Sequence, residues 1–101
     1  MIAVMFFRGA AWDETKRLRD QPGLDGHIDF IRRFRDRGVV IEAGPLHDPE
    51  SYVSDPLVGL ALLDMDSLEE ARALIENDPV VETGAYTYRV YEWGGPTPLR
   101  T

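Results

Sequence analysis

Cysteine is absent from these 101 residues. Disulfides, thiolate metal sites and cysteine nucleophiles are excluded together, so any chemistry must come from histidine, carboxylates, arginine, tyrosine or a bound cofactor. Histidine is nearly as scarce: His27 and His47 stand far apart, no H-x-x-H spacing occurs, and no metal site is expected. The glycines match neither a P-loop nor a G-x-G-x-x-G spacing, and no cofactor is expected. No apolar run reaches the ~18 residues of a membrane helix, and the opening MIAVMFFRG is too short for a secretory signal, which points to a cytoplasmic home. Basic charge is short as well. Eleven Lys and Arg stand against 18 Asp and Glu, a net charge of −7, which argues against nucleic acid or an anionic membrane as partner.

The charge that is present is unevenly placed. Seven of the eleven basic residues fall between Lys16 and Arg37, whereas Glu42 to Glu92 holds twelve acids against Arg72 and Arg89 alone. That basic segment either forms a solvated helix face, pairs with another copy of the chain, or draws in an anionic ligand.

Hydrophobic patterning gives a single domain over residues 1–93, followed by a flexible tail over 94–101, GGPTPLRT. IAVMFF, residues 2–7, reads as a strand apolar on both faces; 11–23 reads as a loop with a helical turn. A helix is predicted from Asp25, as cap, to Arg37, with Gly38 as its stop. Val39–Ala43 is the second strand, closed by Gly44-Pro45, and 44–57 is an excursion loop rich in proline and turn-formers. VGLALLDM, 58–65, is the third strand. Ser67-Leu68-Glu69-Glu70 matches a capping box and opens a second helix that stops at Asn77-Asp78-Pro79. The fourth strand, 86–93, puts Tyr86, Tyr88 and Val90 on one face and Thr87, Arg89, Tyr91 and Trp93 on the other.

The order βαββαβ defines an α+β, ferredoxin-like fold: a four-stranded antiparallel sheet with both helices on one face. Two helices cover one face, yet strands one and three are apolar on both. The same sheet of a second copy is the simplest cover, so a homodimer packed sheet to sheet is expected.

Helix one carries the main candidate. His27 falls within the apolar stripe formed by Leu24, Ile28, Phe30, Ile31 and Phe34. A titratable group there needs a partner, since an unpaired buried polar group costs roughly 1–3 kcal/mol. Either His27 is a core histidine satisfied by a carboxylate or carbonyl, or it is a functional group.

His27, Gly38, Ala43-Gly44-Pro45, Asp66-Ser67-Leu68-Glu69-Glu70-Ala71, and Asp78-Pro79 followed by Gly84 occur in an order and spacing that resembles the YCII-related, or YciI-like, family of the dimeric α+β barrel superfamily. The resemblance covers roughly residues 1–93. It implies a His-Asp pair in a pocket near the sheet, at His27 and Asp78. Such a pair is a usable acid–base unit: the carboxylate fixes the imidazole tautomer, and the second nitrogen is left to move a substrate proton.

Around it, Tyr86, Tyr88, Tyr91 and Trp93 with Phe6 and Phe7 form either an aromatic wall for a planar ligand or ordinary core and dimer packing. Arg8 and Arg89 are candidates for stabilising an enolate or carboxylate. Tyr52, in the excursion loop, is a candidate for lining the pocket; His47-Asp48 reads as exposed loop, and Ser67 as a cap rather than a nucleophile.

The functional reading is a small cofactor-independent enzyme of lyase or isomerase type, acting through His27 and Asp78 on a cyclic or aromatic-like small molecule. The alternatives are a non-catalytic dimeric binding or pathway accessory protein and, drawn from the superfamily, a cofactor-free monooxygenase.

Overall fold

The computed structural model describes residues 1–47 and 56–94. Its strands are β1 (Ile2–Arg8), β2 (Val40–Pro45), β3 (Leu57–Leu63) and β4 (Tyr86–Glu92), and its helices α1 (Leu24–Asp36), α2 (Leu68–Ile75) and the single turn α3 (Pro79–Glu82). A 3₁₀ turn, Leu18–Asp20, precedes α1. The sheet runs β2-β3-β1-β4, every pairing antiparallel. This is the α+β, ferredoxin-like arrangement, with two split βαβ units and β1 and β3 at the centre.

Register sorts the side chains into two faces. The rows Leu63-Ile2-Glu92, Ala61-Val4-Val90 and Gly59-Phe6-Tyr88 point one way, and Leu62-Ala3-Tyr91, Leu60-Met5-Arg89 and Leu57-Phe7-Thr87 the other. Ile2, Val4, Phe6, Ala61 and Leu63 on the first face are buried together with Leu24 and Phe30 of α1, Ala71 and Ile75 of α2, and Val80 of α3. Each large apolar side chain buried there stabilises the fold by about 1.5–3 kcal/mol, so the helices belong on this face.

The helix ends follow local chemistry, with one correction. Asp25 does not cap α1; Gly23 does, at φ +83° and without a side-chain hydrogen bond, and Asp25 sits in the first turn, where its charge suits the helix dipole. A Cβ at Gly23 would lie 2.6 Å from the Pro79 carbonyl oxygen, so the chain enters α1 too close to α3 for any side chain at that position. Gly38, at φ +78°, closes α1: its N–H donates to the Arg35 carbonyl and the Val39 N–H to that of Phe34, a Schellman arrangement. The Ser67 hydroxyl accepts from the Glu70 N–H at 3.1 Å and opens α2.

A second correction concerns β2, which runs through Gly44 to Pro45 instead of ending at Ala43. β2 is an edge strand, where the missing N–H of a proline breaks no ladder bond. The expected excursion loop, from residue 48 to 55, and the expected tail, from residue 95, lie outside the described residues.

Candidate functional site

The site begins where α2 gives way to α3. Asp78 is fully buried and caps α3, its Oδ1 accepting from the Val80 N–H at 3.1 Å, with Pro79 at the first helical position. Beyond punctuating α2, it is thereby locked in orientation. Its Oδ2 lies 2.6 Å from His27 Nδ1, and the His27 side chain is 15% exposed. A carboxylate accepts only, so Nδ1 carries the proton and Nε2 is the nitrogen free to accept one. Among the described residues, Nε2 has no hydrogen-bond partner.

Aromatic rings fix the plane of the imidazole. Phe6 meets it edge-on, centroids 5.4 Å apart at 80°, and Tyr86 at 5.6 Å and 65°. Tyr86 in turn stacks on Trp12, and the Arg8 guanidinium lies over the Trp12 ring, 5.1 Å from its centroid. Burial, and then the negative charge of Asp78, push the Tyr86 hydroxyl up to about 12, so it remains a neutral donor at any physiological pH.

His27 opens into a cavity of about 590 Å³ between α1, the strands and the 3₁₀ turn. Phe6, Leu24, Ile31 and Tyr86 supply apolar walls. Ile28, assigned by periodicity to the core stripe, is 39% exposed because it faces this cavity. Arg17, Arg19, Arg32 and Arg35 also line it. The segment bearing the 3₁₀ turn is tied down by Gln21, only 3% exposed: its amide donates to the carbonyls of Asp13 (2.8 Å) and Lys16 (3.0 Å) and accepts from the Asp13 N–H (2.8 Å).

Of the residues singled out in the sequence, His27, Asp78 and Tyr86 come together. Tyr88 shares the helix-side face but donates its hydroxyl to Glu76 at 2.6 Å and lines a separate depression with Arg72 and Glu76. Phe7 and Arg89 lie on the opposite face, the guanidinium 5.9 Å above the Phe7 ring, remote from His27. Arg8 is near, over Trp12 and 3.9 Å from Glu14, but does not line the cavity. Tyr52 lies outside the described residues, and His47 is exposed.

Sequence reasoning missed Trp12 and Gln21, and offered the cavity arginines only together, within the basic segment from Lys16 to Arg37. For Arg32 and Arg35 the signal was present, since positions 27, 28, 31, 32 and 35 share one helical side. For Trp12 and Gln21, in an aperiodic loop, there was none.

Such a fold and site, an antiparallel α+β sheet with a histidine held by a buried carboxylate beside a cavity, define a small α+β domain with a histidine–aspartate contact at its helix side. Residues 5–94 match the family model described as the YCII-related domain, and the chain belongs to that family. Comparison with curated proteins gives no match. Among solved structures, the chain is similar to 5-chloro-2-hydroxyhydroquinone dehydrochlorinase (TftG) from Burkholderia phenoliruptrix AC1100, in complex with 2,5-dihydroxybenzoquinone: 15% identity, TM-score 0.65, covering 95% of this chain and 96% of that one. At that identity the likeness bears on the fold.

Proposed function

We propose that this protein is a cofactor-independent lyase or isomerase acting on a small phenol- or quinol-like ring, with His27 as the proton-transfer group and Asp78 as its orienting partner. The observation that carries this reading is the 2.6 Å contact between His27 Nδ1 and a carboxylate that is itself buried and pinned by Val80. A histidine satisfied only for packing needs no such cavity beside it. The likeness to a dehydrochlorinase supports an elimination as the reaction type.

In that elimination the ring first tautomerises, one hydroxyl becoming a carbonyl as its proton moves to the halogen-bearing carbon. Nε2 then takes the proton of a second ring hydroxyl, and the electron pair left behind runs through the ring to form the new double bond at that carbon. The carbon–halogen bond breaks with its pair on the departing halide, and the imidazolium returns its proton to water. Asp78 stabilises the transient imidazolium. The neutral Tyr86 hydroxyl donates to the oxyanion that develops on the ring.

The partner assigned to the open sheet face is a second copy of the chain. Ala3, Met5, Phe7, Leu60 and Leu62 give that face an apolar centre that no helix covers among the described residues, and two-fold packing of sheet on sheet buries it in both copies at once.

The test is halide release from chlorinated hydroquinones, followed with oxygen uptake in the same cuvette. Halide release that is lost in His27→Gln supports the reading. Binding without turnover at any pH assigns the protein to non-catalytic ligand binding, and oxygen consumption coupled to ring turnover assigns it to the monooxygenases.

A further inference from the structure

The chain carries a net charge of −7, yet the cavity beside His27 is lined by four arginines and, among the described residues, by no aspartate or glutamate. Two of the four are already engaged. Arg17 Nε pairs with Asp20 at 3.3 Å, and Arg35 Nη2 with Glu42 at 3.5 Å. Arg19 and Arg32 have no acidic partner within ion-pair distance among the described residues. An acidic protein that excludes its own carboxylates from a cavity and leaves two guanidinium groups uncompensated there is arranged for an anion supplied from outside.

Position along α1 sets where that anion sits. His27, Ile28, Ile31 and Arg32 lie on one side of the helix, and five residues of helical rise put Arg32 about 7.5 Å along the axis from His27. The stretch between is apolar. A ring whose reacting edge meets His27 Nε2 would lie over Ile28 and Ile31, and a substituent on its far side would arrive at Arg32, in the cavity that Arg19 of the 3₁₀ turn also lines. The planar guanidinium fork fits a carboxylate better than any other common ring substituent.

We propose that the cavity selects ring compounds bearing a carboxylate, which Arg19 and Arg32 bind while the opposite edge of the ring faces His27. This deepens the proposed function and rests on its reading of the cavity as the ligand site.

The experiment compares hydroquinone with 2,5-dihydroxybenzoate by calorimetry and amide chemical-shift titration, using the full chain, Arg19→Gln/Arg32→Gln, and His27→Gln. The carboxylated probe is expected to bind the unaltered chain at least about tenfold more tightly at low salt. That advantage disappears in the double arginine variant, whose affinity for hydroquinone is kept, and it persists in His27→Gln. Equal affinity for the two probes, no binding of either, an advantage surviving the double substitution, or a change of oligomeric state in place of a change in ratio would each overturn the inference. Carboxylate preference without turnover keeps this inference and removes the catalytic reading; turnover of neutral rings without preference does the reverse.

Discussion

Gly26 lies directly against Pro79: a Cβ built on Gly26 would come within 2.8 Å of the Pro79 Cβ and 2.9 Å of its Cγ. The missing side chain lets α1 close onto α3, and that approach brings His27, the next residue, to Asp78, the residue before the proline. Helix propensity alone says that Gly26→Ala should stabilise α1 by about 1 kcal/mol. The contact says otherwise. We expect a net loss of about 1–3 kcal/mol from overpacking against a rigid ring, with turnover reduced as the His27–Asp78 bond lengthens. A variant that melts higher than the parent and keeps its activity would show that the approach does not position the pair.

The proposed acid–base pair gives three substitutions with different signatures. His27→Gln retains an N–H donor for Asp78, so stability stays within about 2 kcal/mol, while turnover falls at least about 10²-fold. Asp78→Asn keeps an oxygen to cap α3 but turns an NH2 donor towards Nδ1, where the carboxylate accepted; activity falls, while the cap is preserved. Asp78→Ala removes both bonds and costs roughly 2–4 kcal/mol. Equal activity in His27→Gln and the parent, read by halide release, would leave His27 a structural residue.

Alkaline stability reports the tyrosines. Tyr86, through burial and then Asp78, and Tyr88, through burial and then its hydrogen bond to Glu76, are both raised from 10.0 to about 12. Between these values the folded chain holds tyrosyl protons that the unfolded chain has released. The stabilisation is therefore complete below about pH 10 and is lost as pH rises through about 12. Denaturant midpoints measured across this range should fall steeply in the parent and more gently in Tyr86→Phe/Tyr88→Phe; identical slopes would contradict the assignment.

Sheet-to-sheet pairing predicts a dimer in sedimentation at micromolar concentration, and Met5→Glu, which puts a charge at the centre of the open face, should shift it to monomer. A parent chain that sediments mainly as monomer there would refute the pairing.

The Ser67 hydroxyl bonds the Glu70 N–H and lies apart from the cavity. Ser67→Ala should cost about 1 kcal/mol in thermal denaturation and leave kcat unchanged. A large loss of kcat would reopen its reading as a nucleophile.

Local patterns in the sequence were enough for the order of elements, the stop at Gly38, the cap at Ser67 and the two-faced strands, because each rests on residues within a few positions of one another. The resemblance carried by His27 and Asp78-Pro79 named the two residues that the structure joins across 51 positions. Contact between them needs both crossovers to lie on one face and Gly26 and Gly23 to admit Pro79, which no local pattern encodes.

What the sequence determined alone was the periodicity that forms these strands and helices, and the exclusion of thiol chemistry by the absence of cysteine. Tertiary structure decided which candidates share a site. Alternation in β4 and β1 sends Phe7 and Arg89 to the face away from His27, while a hydrogen bond to Glu76 holds Tyr88 beside α2. Arg32 shares the cavity with His27 through helical spacing alone, whereas Arg19 reaches it because Gln21 ties down the segment before α1. Side-chain period assigns a residue to a face; only the packing of helix on sheet decides what that face encloses.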